Sequence, residues 1–222
     1  MNSGRESGRA GTLMDFHDAM LRELGPQGWW PGKTRFEVIA GAILTQNTSW
    51  SNVEKAIRNL RREGLLNPAK MHRLKAEELA GRIRPAGYFN IKARRLKNFL
   101  DHLFGNYNGS IDRLFGKKTG AELRAELLSI NGIGPETADS IVLYAASLPE
   151  FVVDAYTVRI LRRHGLIGDK APYGDVKALF MESLERDAGL FNEYHALIVK
   201  TGKDFCRPGR PLCGACPLER FL

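Results

Sequence analysis

Asp154 is the residue best placed to do chemistry, because of the run that ends fifteen residues before it: Ser129-Ile130-Asn131-Gly132-Ile133-Gly134-Pro135-Glu136-Thr137-Ala138-Asp139. Gly132 and Gly134 permit a tight turn, since glycine reaches positive φ at little steric cost. The helix expected after the turn opens with N–H groups that have no intrahelical partner. Such a helix start is a ready anion site, and a phosphate fits it. The run therefore predicts helix, hairpin and helix around a phosphate grip, with the Asp154 carboxylate beside the sugar so held. An aspartate just before Ala155 is also a preferred helix N-cap, and one residue can fill both roles.

A second group of chemical residues lies near the C-terminus. Cys206, Cys213 and Cys216 are the three cysteines of the chain, spaced C-x6-C-x2-C. An odd number so close together is not a disulfide framework and suggests a metal or cluster loop in a reducing compartment. Zinc is the poorer candidate, because the loop holds three cysteines and no histidine.

The elements that must position these groups read as helices. Phe36, Ile39, Ala40, Ile43 and Leu44 fall on one helical face, as do Leu96, Phe99, Leu100 and Leu103, and Ala138, Ile141, Val142 and Ala145. Breakers separate them at Gly25-Pro26, Pro31-Gly32, Pro85-Ala86-Gly87 and Pro172-Tyr173-Gly174. Phe151-Val152-Val153 is the strongest strand-like run and is too short to found a sheet. An all-α fold is expected. The 222 residues with 43% hydrophobic content allow one or two soluble domains. A net charge of +8 favours an anionic partner, nucleic acid above all. The basic stretch Lys92-Ala93-Arg94-Arg95-Leu96-Lys97 is a candidate phosphate-facing surface. No apolar run approaches the roughly 18 residues of a membrane span. Residues 1–11, mostly Gly, Ser and Arg without an apolar stretch, are expected to be a flexible tail and not a signal peptide. A cytoplasmic location is the default, at the nucleoid if the source is bacterial.

The chain resembles the helix-hairpin-helix DNA glycosylases of the endonuclease III superfamily. The matching residues run from about Trp29 to Cys216. They include Phe36-Glu37-Val38 through Leu44-Thr45-Gln46-Asn47-Thr48, then Gly87-Tyr88-Phe89-Asn90-Ile91-Lys92-Ala93, the hairpin, Val153-Asp154-Ala155-Tyr156-Thr157-Val158-Arg159-Ile160 and the cysteine loop. The resemblance implies two helical lobes, a six-helix barrel over 28–134 and a second lobe from 12–27 and 135–222. Double-stranded DNA with a damaged base would lie across the cleft between them, bound by a monomer. It further implies that the base is extruded, since its glycosidic bond is inaccessible inside the stack. Gln46 then fills the gap, with Asn47, Gly132, Ile133, Gly134 and Thr137 on the DNA. Asp154 matches the family's catalytic acid, where a carboxylate would stabilise an oxocarbenium-like sugar and activate water.

Three departures refine the expectation. Glu136 stands where the bifunctional members carry the lysine that forms a Schiff base, so base release without strand cleavage is implied. Gly41 stands where the adenine-mismatch branch has glutamate. Trp29, Trp30, Pro31 and Trp50 resemble the base pocket of the bacterial 3-methyladenine DNA glycosylase branch, where flat cationic purines stack on aromatic faces. Glu136 and Lys203 also map to that pocket. The cysteine spacing is similar to the family's [4Fe–4S] loop, C-x6-C-x2-C-x5-C, but the fourth position is Leu222, which cannot ligate iron. Cys206, Cys213 and Cys216 would hold such a cluster with another fourth ligand or only in part, or the loop packs without metal. The alternatives are an endonuclease III-like enzyme of other lesions, with lyase activity from a displaced amine such as Lys203, and a non-catalytic DNA-binding module.

Overall fold

The computed structural model describes residues 3–29 and 32–222, with 3–10 as backbone alone. The described residues are helices and turns with no strand among them. They form two compact units, Trp30–Leu148 and the pair Met1–Trp29 with Pro149–Leu222.

In the Trp30–Leu148 unit, α2 (Arg35–Thr45) is the core helix. Its face of Phe36, Ile39, Ala40, Ile43 and Leu44 is buried as its periodicity predicts. Thr34 caps it by accepting the Glu37 N–H (3.1 Å). α4 (Pro68–Arg73), α5 (Ala76–Arg82) and α7 (Ile111–Phe115) pack on α6 (Phe89–Tyr107). Around α2 itself pack α3 (Trp50–Arg62), α6, α9 (Pro135–Ser140) and the π turn Ile141–Ala145. Those last two elements explain why the unit runs to Leu148 and not to 134. Ile141 to Ala145 are all buried, so the segment after the hairpin belongs to this core.

Lys92 on α6 is almost fully buried, and its ammonium donates to Leu44 O (2.8 Å) and Ala86 O (2.7 Å). It thereby satisfies a C-terminal carbonyl of α2, which a buried helix end requires. Burial, then the Arg95 charge, pushes its pKa down to about 8. The basic stretch is therefore not a phosphate-facing surface as a whole. Lys92 points inward, Lys97 donates to His72 O, Arg95 is half-buried, and Arg94 is the exposed member.

In the other unit, α1 (Ser3–Leu24) packs on α11 (Tyr173–Ser183) and α12 (Ala188–Asp204), and α10 (Ala155–Arg163) packs on α12. The stretch expected as a tail is helical from Ser3 onward, continuing α1; residues 1 and 2 lie outside the described residues. Phe151, Phe180, Phe191 and Tyr194 make an aromatic core, with Phe151 stacked on Phe180 at 3.7 Å. This anchors Phe151-Val152-Val153 as buried extended chain leading to Asp154. At Gly202 a Cβ would lie 2.5 Å from the Tyr156 ring, so glycine is what lets α10 and α12 approach.

Candidate active site

Asp154 is the N-cap of α10. Its Oδ1 accepts the Thr157 N–H (2.8 Å) and the Thr157 hydroxyl (2.9 Å). Its Oδ2 lies 3.6 Å from His195 Nε2 on α12, and the carboxylate is 13% exposed. Burial alone would raise its pKa; His195 and the Thr157 donors outweigh burial and hold the carboxyl below its ordinary value. The group is thus an anion at neutral pH in a largely dry setting, as a carboxylate must be to stabilise a sugar cation.

Sequence reasoning gave His195 no role. It is 4% exposed and its ring stacks on Trp29 (centroids 5.5 Å, planes 19° apart). Trp29, expected in the base pocket, thus has one indole face on His195. Trp30 and Pro31, expected beside it, lie outside the described residues. Lys203 is exposed in the last turn of α12.

The hairpin lies wholly in the Trp30–Leu148 unit, between α8 (Gly120–Leu128) and α9. Ile133 N–H donates to Ile130 O (3.0 Å) and closes the turn; both isoleucine side chains are buried. Arg124 Nε donates to the buried Asp139 (2.6 Å) and ties α8 to α9. The two glycines differ. Gly132 has φ +96°, which requires glycine, whereas Gly134 has φ −92° and ψ 177°, open to any residue. The expectation that both turn through positive φ is corrected to Gly132 alone. Pro135 at the first helical position loses nothing by lacking an N–H.

Gln46 follows α2, and its side chain is already engaged. Nε2 donates to Gly132 O (3.0 Å) and Thr137 Oγ1 (2.9 Å), and Oε1 accepts from Arg95 Nη1. Asn47 next to it is exposed, with φ +53°. Glu136 is exposed in the first turn of α9. Trp50 is half-buried; its Nε1 donates to Glu54 (2.9 Å). A Cβ at Gly41 would lie 3.5 Å from the Trp50 ring, in ordinary van der Waals contact. Tyr88, 68% exposed at φ +45° ahead of α6, is a further surface aromatic that sequence patterning did not single out.

The cysteines line one cavity with Thr201, His164 and Leu222. Arg163 Nη1 donates to Cys206 Sγ (3.1 Å), while its other bonds, to Arg207 O and Pro208 O (both 2.9 Å), hold the loop on α10. Thr201 Oγ1 is buried there without a hydrogen-bond partner. Among the described residues no three His, Cys, Asp or Glu side chains are placed for a single metal ion. Three soft thiol donors line one cavity beside that hydroxyl, and the Leu222 side chain there cannot ligate iron.

Helices joined by a glycine hairpin, with a capped aspartate opening a later helix, define a helix-hairpin-helix fold. Residues 40–186 match the HhH-GPD superfamily of base excision DNA repair proteins, and the chain belongs to it. It is 50% identical over 209 residues, 94% of each chain, to a protein of Methanocaldococcus jannaschii that carries the provisional description DNA repair glycosylase. It is 30% identical to endonuclease III of Sulfolobus acidocaldarius, over 86% of this chain and 83% of that one. The fold is similar to that of the Helicobacter pylori 3-methyladenine DNA glycosylase bound to 1,N6-ethenoadenine, with TM-score 0.75 and 27% identity over 88% of this chain and 97% of that one. A non-covalent endonuclease III–DNA complex shares the fold at TM-score 0.82 and 23% identity, covering 96% of this chain and 94% of that one. Among the described residues no helix is long and apolar enough to cross a membrane.

Proposed function

We propose that this DNA repair glycosylase is monofunctional, releasing alkylated purines such as 3-methyladenine from double-stranded DNA by hydrolysis. The observation that carries the reading is the Asp154 carboxylate, capped, mostly buried and held ionised. A purine methylated at N3 carries its positive charge in the ground state and departs neutral, so the leaving group needs no proton. What it needs is charge stabilisation of the sugar and a positioned water, and one carboxylate supplies both. The hairpin amides around Gly132 and Gly134 grip a phosphate beside the lesion, and Gln46 with Asn47 supports the strand from which the base has left. An indole face such as that of Trp50 suits a flat cation. The likeness to the Helicobacter pylori enzyme supports this choice of base. Glu136, at the position of the lyase amine, supports hydrolysis without strand cleavage, since a carboxylate forms no imine.

The test is base release from duplexes holding methylated purines, uracil, a thymine mismatch, thymine glycol or adenine opposite 8-oxoguanine. Methylated DNA is expected to lose its base, with strand breaks only after alkali and no borohydride-trapped adduct. Breaks without alkali would overturn the hydrolytic reading, and release of another base alone would overturn the substrate. DNA binding with no release from any duplex would leave a binding module.

The same reading assigns Cys206, Cys213 and Cys216 to a [4Fe–4S] cluster that braces the loop after α12. Protein purified without oxygen is expected to hold about four iron and four sulfide per chain. Cys213→Ser is expected to lose most of both. Wild-type protein without iron would show that the loop packs as a metal-free cap.

A further inference from the structure

Asp154 carries one oxygen that the helix cap does not use. Oδ1 is saturated by the Thr157 amide and hydroxyl, and Oδ2 faces His195 Nε2 at 3.6 Å. His195 cannot swing away cheaply. It is 4% exposed on α12, and its ring lies flat against Trp29. We propose that His195 is a positioning residue for Asp154, fixing Oδ2 so that the carboxylate stays aimed and charged for base release. The inference rests on Asp154 being the catalytic carboxylate.

Other groups on the surrounding elements are committed elsewhere. On α10, Arg159 donates to Cys206 O (2.6 Å) and Gly202 O (3.0 Å). On α12, Glu193 accepts the Gln27 N–H (2.6 Å), and Lys203 is exposed in the last turn. On α11, the Tyr173 hydroxyl faces the Val153 amide (3.4 Å). Among the described residues, His195 is the titratable group that faces Oδ2. The sign follows. With His195 in place the carboxyl titrates below its ordinary range. Without the imidazole beside Oδ2, burial is opposed by Thr157 alone and the midpoint rises. A protonated Asp154 no longer stabilises a cation, so the acid limb of the rate moves to higher pH.

Two variants separate the donor from the volume. His195→Gln keeps an N–H of similar reach, and His195→Met fills the space without one. The Asp154 carboxyl is titrated by 13C NMR, assigned by difference against Asp154→Asn. In His195→Met the midpoint is expected to rise by about one pH unit or more, and in His195→Gln, which keeps an N–H but no charge, to rise by less. The acid limb of kcat should move in the same order, with KM little changed. A His195→Met midpoint equal to wild type would overturn the proposal. Should that variant not fold, the wild-type imidazole 15N shifts decide. A coupled Nε2 responds as Asp154 titrates, and an indifferent one refutes the pairing. If wild-type protein releases no base, the glycosylase reading fails on its own, while the titration still decides the role of His195.

Discussion

Asp154→Asn is expected to lower base release from methylated DNA by about a thousandfold or more, at unchanged DNA affinity and with the fold intact. The rate loss corresponds to ~4 kcal/mol of transition-state stabilisation, the scale of removing one preorganised electrostatic partner from a dry site. The fold survives because asparagine caps a helix as well as aspartate does. Its amide oxygen can accept from the Thr157 N–H and hydroxyl as Oδ1 does now. DNA affinity survives because Gly132, Gly134 and Gln46 belong to the Trp30–Leu148 unit and Asp154 does not. The measurements are single-turnover base release, duplex binding and thermal unfolding. The pH dependence adds a sign. A carboxyl held below its ordinary value stays ionised through neutral pH, so wild-type activity should decline only as pH falls into or below the usual carboxylate range. Activity within tenfold of wild type in Asp154→Asn would move the chemistry to another group.

Periodicity alone marked the helical faces at Phe36–Leu44 and Leu96–Leu103, because a helix with one buried face must repeat its apolar residues every three or four positions. The same rule placed Ala138, Ile141, Val142 and Ala145 on one face, yet the backbone there passes from α9 into a π turn and Leu143 and Tyr144 are buried too. A segment buried all round carries no face to read. The Lys92 run showed the limit of charge patterning, since the residue types do not say that one ammonium is turned inward to meet Leu44 O and Ala86 O. Asp154 was legible as a helix cap, because an aspartate just before a helix supplies the acceptor that the first turn lacks. His195 was not, because its significance lies in a contact with a distant part of the chain and with Trp29, and nothing local to α12 marks it.

Gly132→Ala is expected to cost about 2–4 kcal/mol of stability and at least tenfold in duplex affinity. Two costs act together. At φ +96° any side chain is strained. The added Cβ would also lie 2.3 Å from Arg95 Cγ and 3.0 Å from Arg95 Cδ. Arg95 is not a loose surface chain that can simply move aside. Its guanidinium holds Gln46 Oε1, while Gln46 Nε2 holds Gly132 O and Thr137 Oγ1. Pushing Arg95 off the hairpin therefore releases Gln46 as well, and one methyl group disturbs both the hairpin and the side chain that follows α2. Combining the change with Arg95→Ala removes the collision but leaves the strained φ, so stability should recover in part while affinity stays low. Gly134→Ala is the contrast. Its backbone is extended and a Cβ there meets nothing within 4 Å, so it should unfold within ~0.5 kcal/mol of wild type. Equal losses at the two glycines would mean that the hairpin is read through its glycines as bare backbone, and that the Arg95–Gln46 brace contributes nothing of its own.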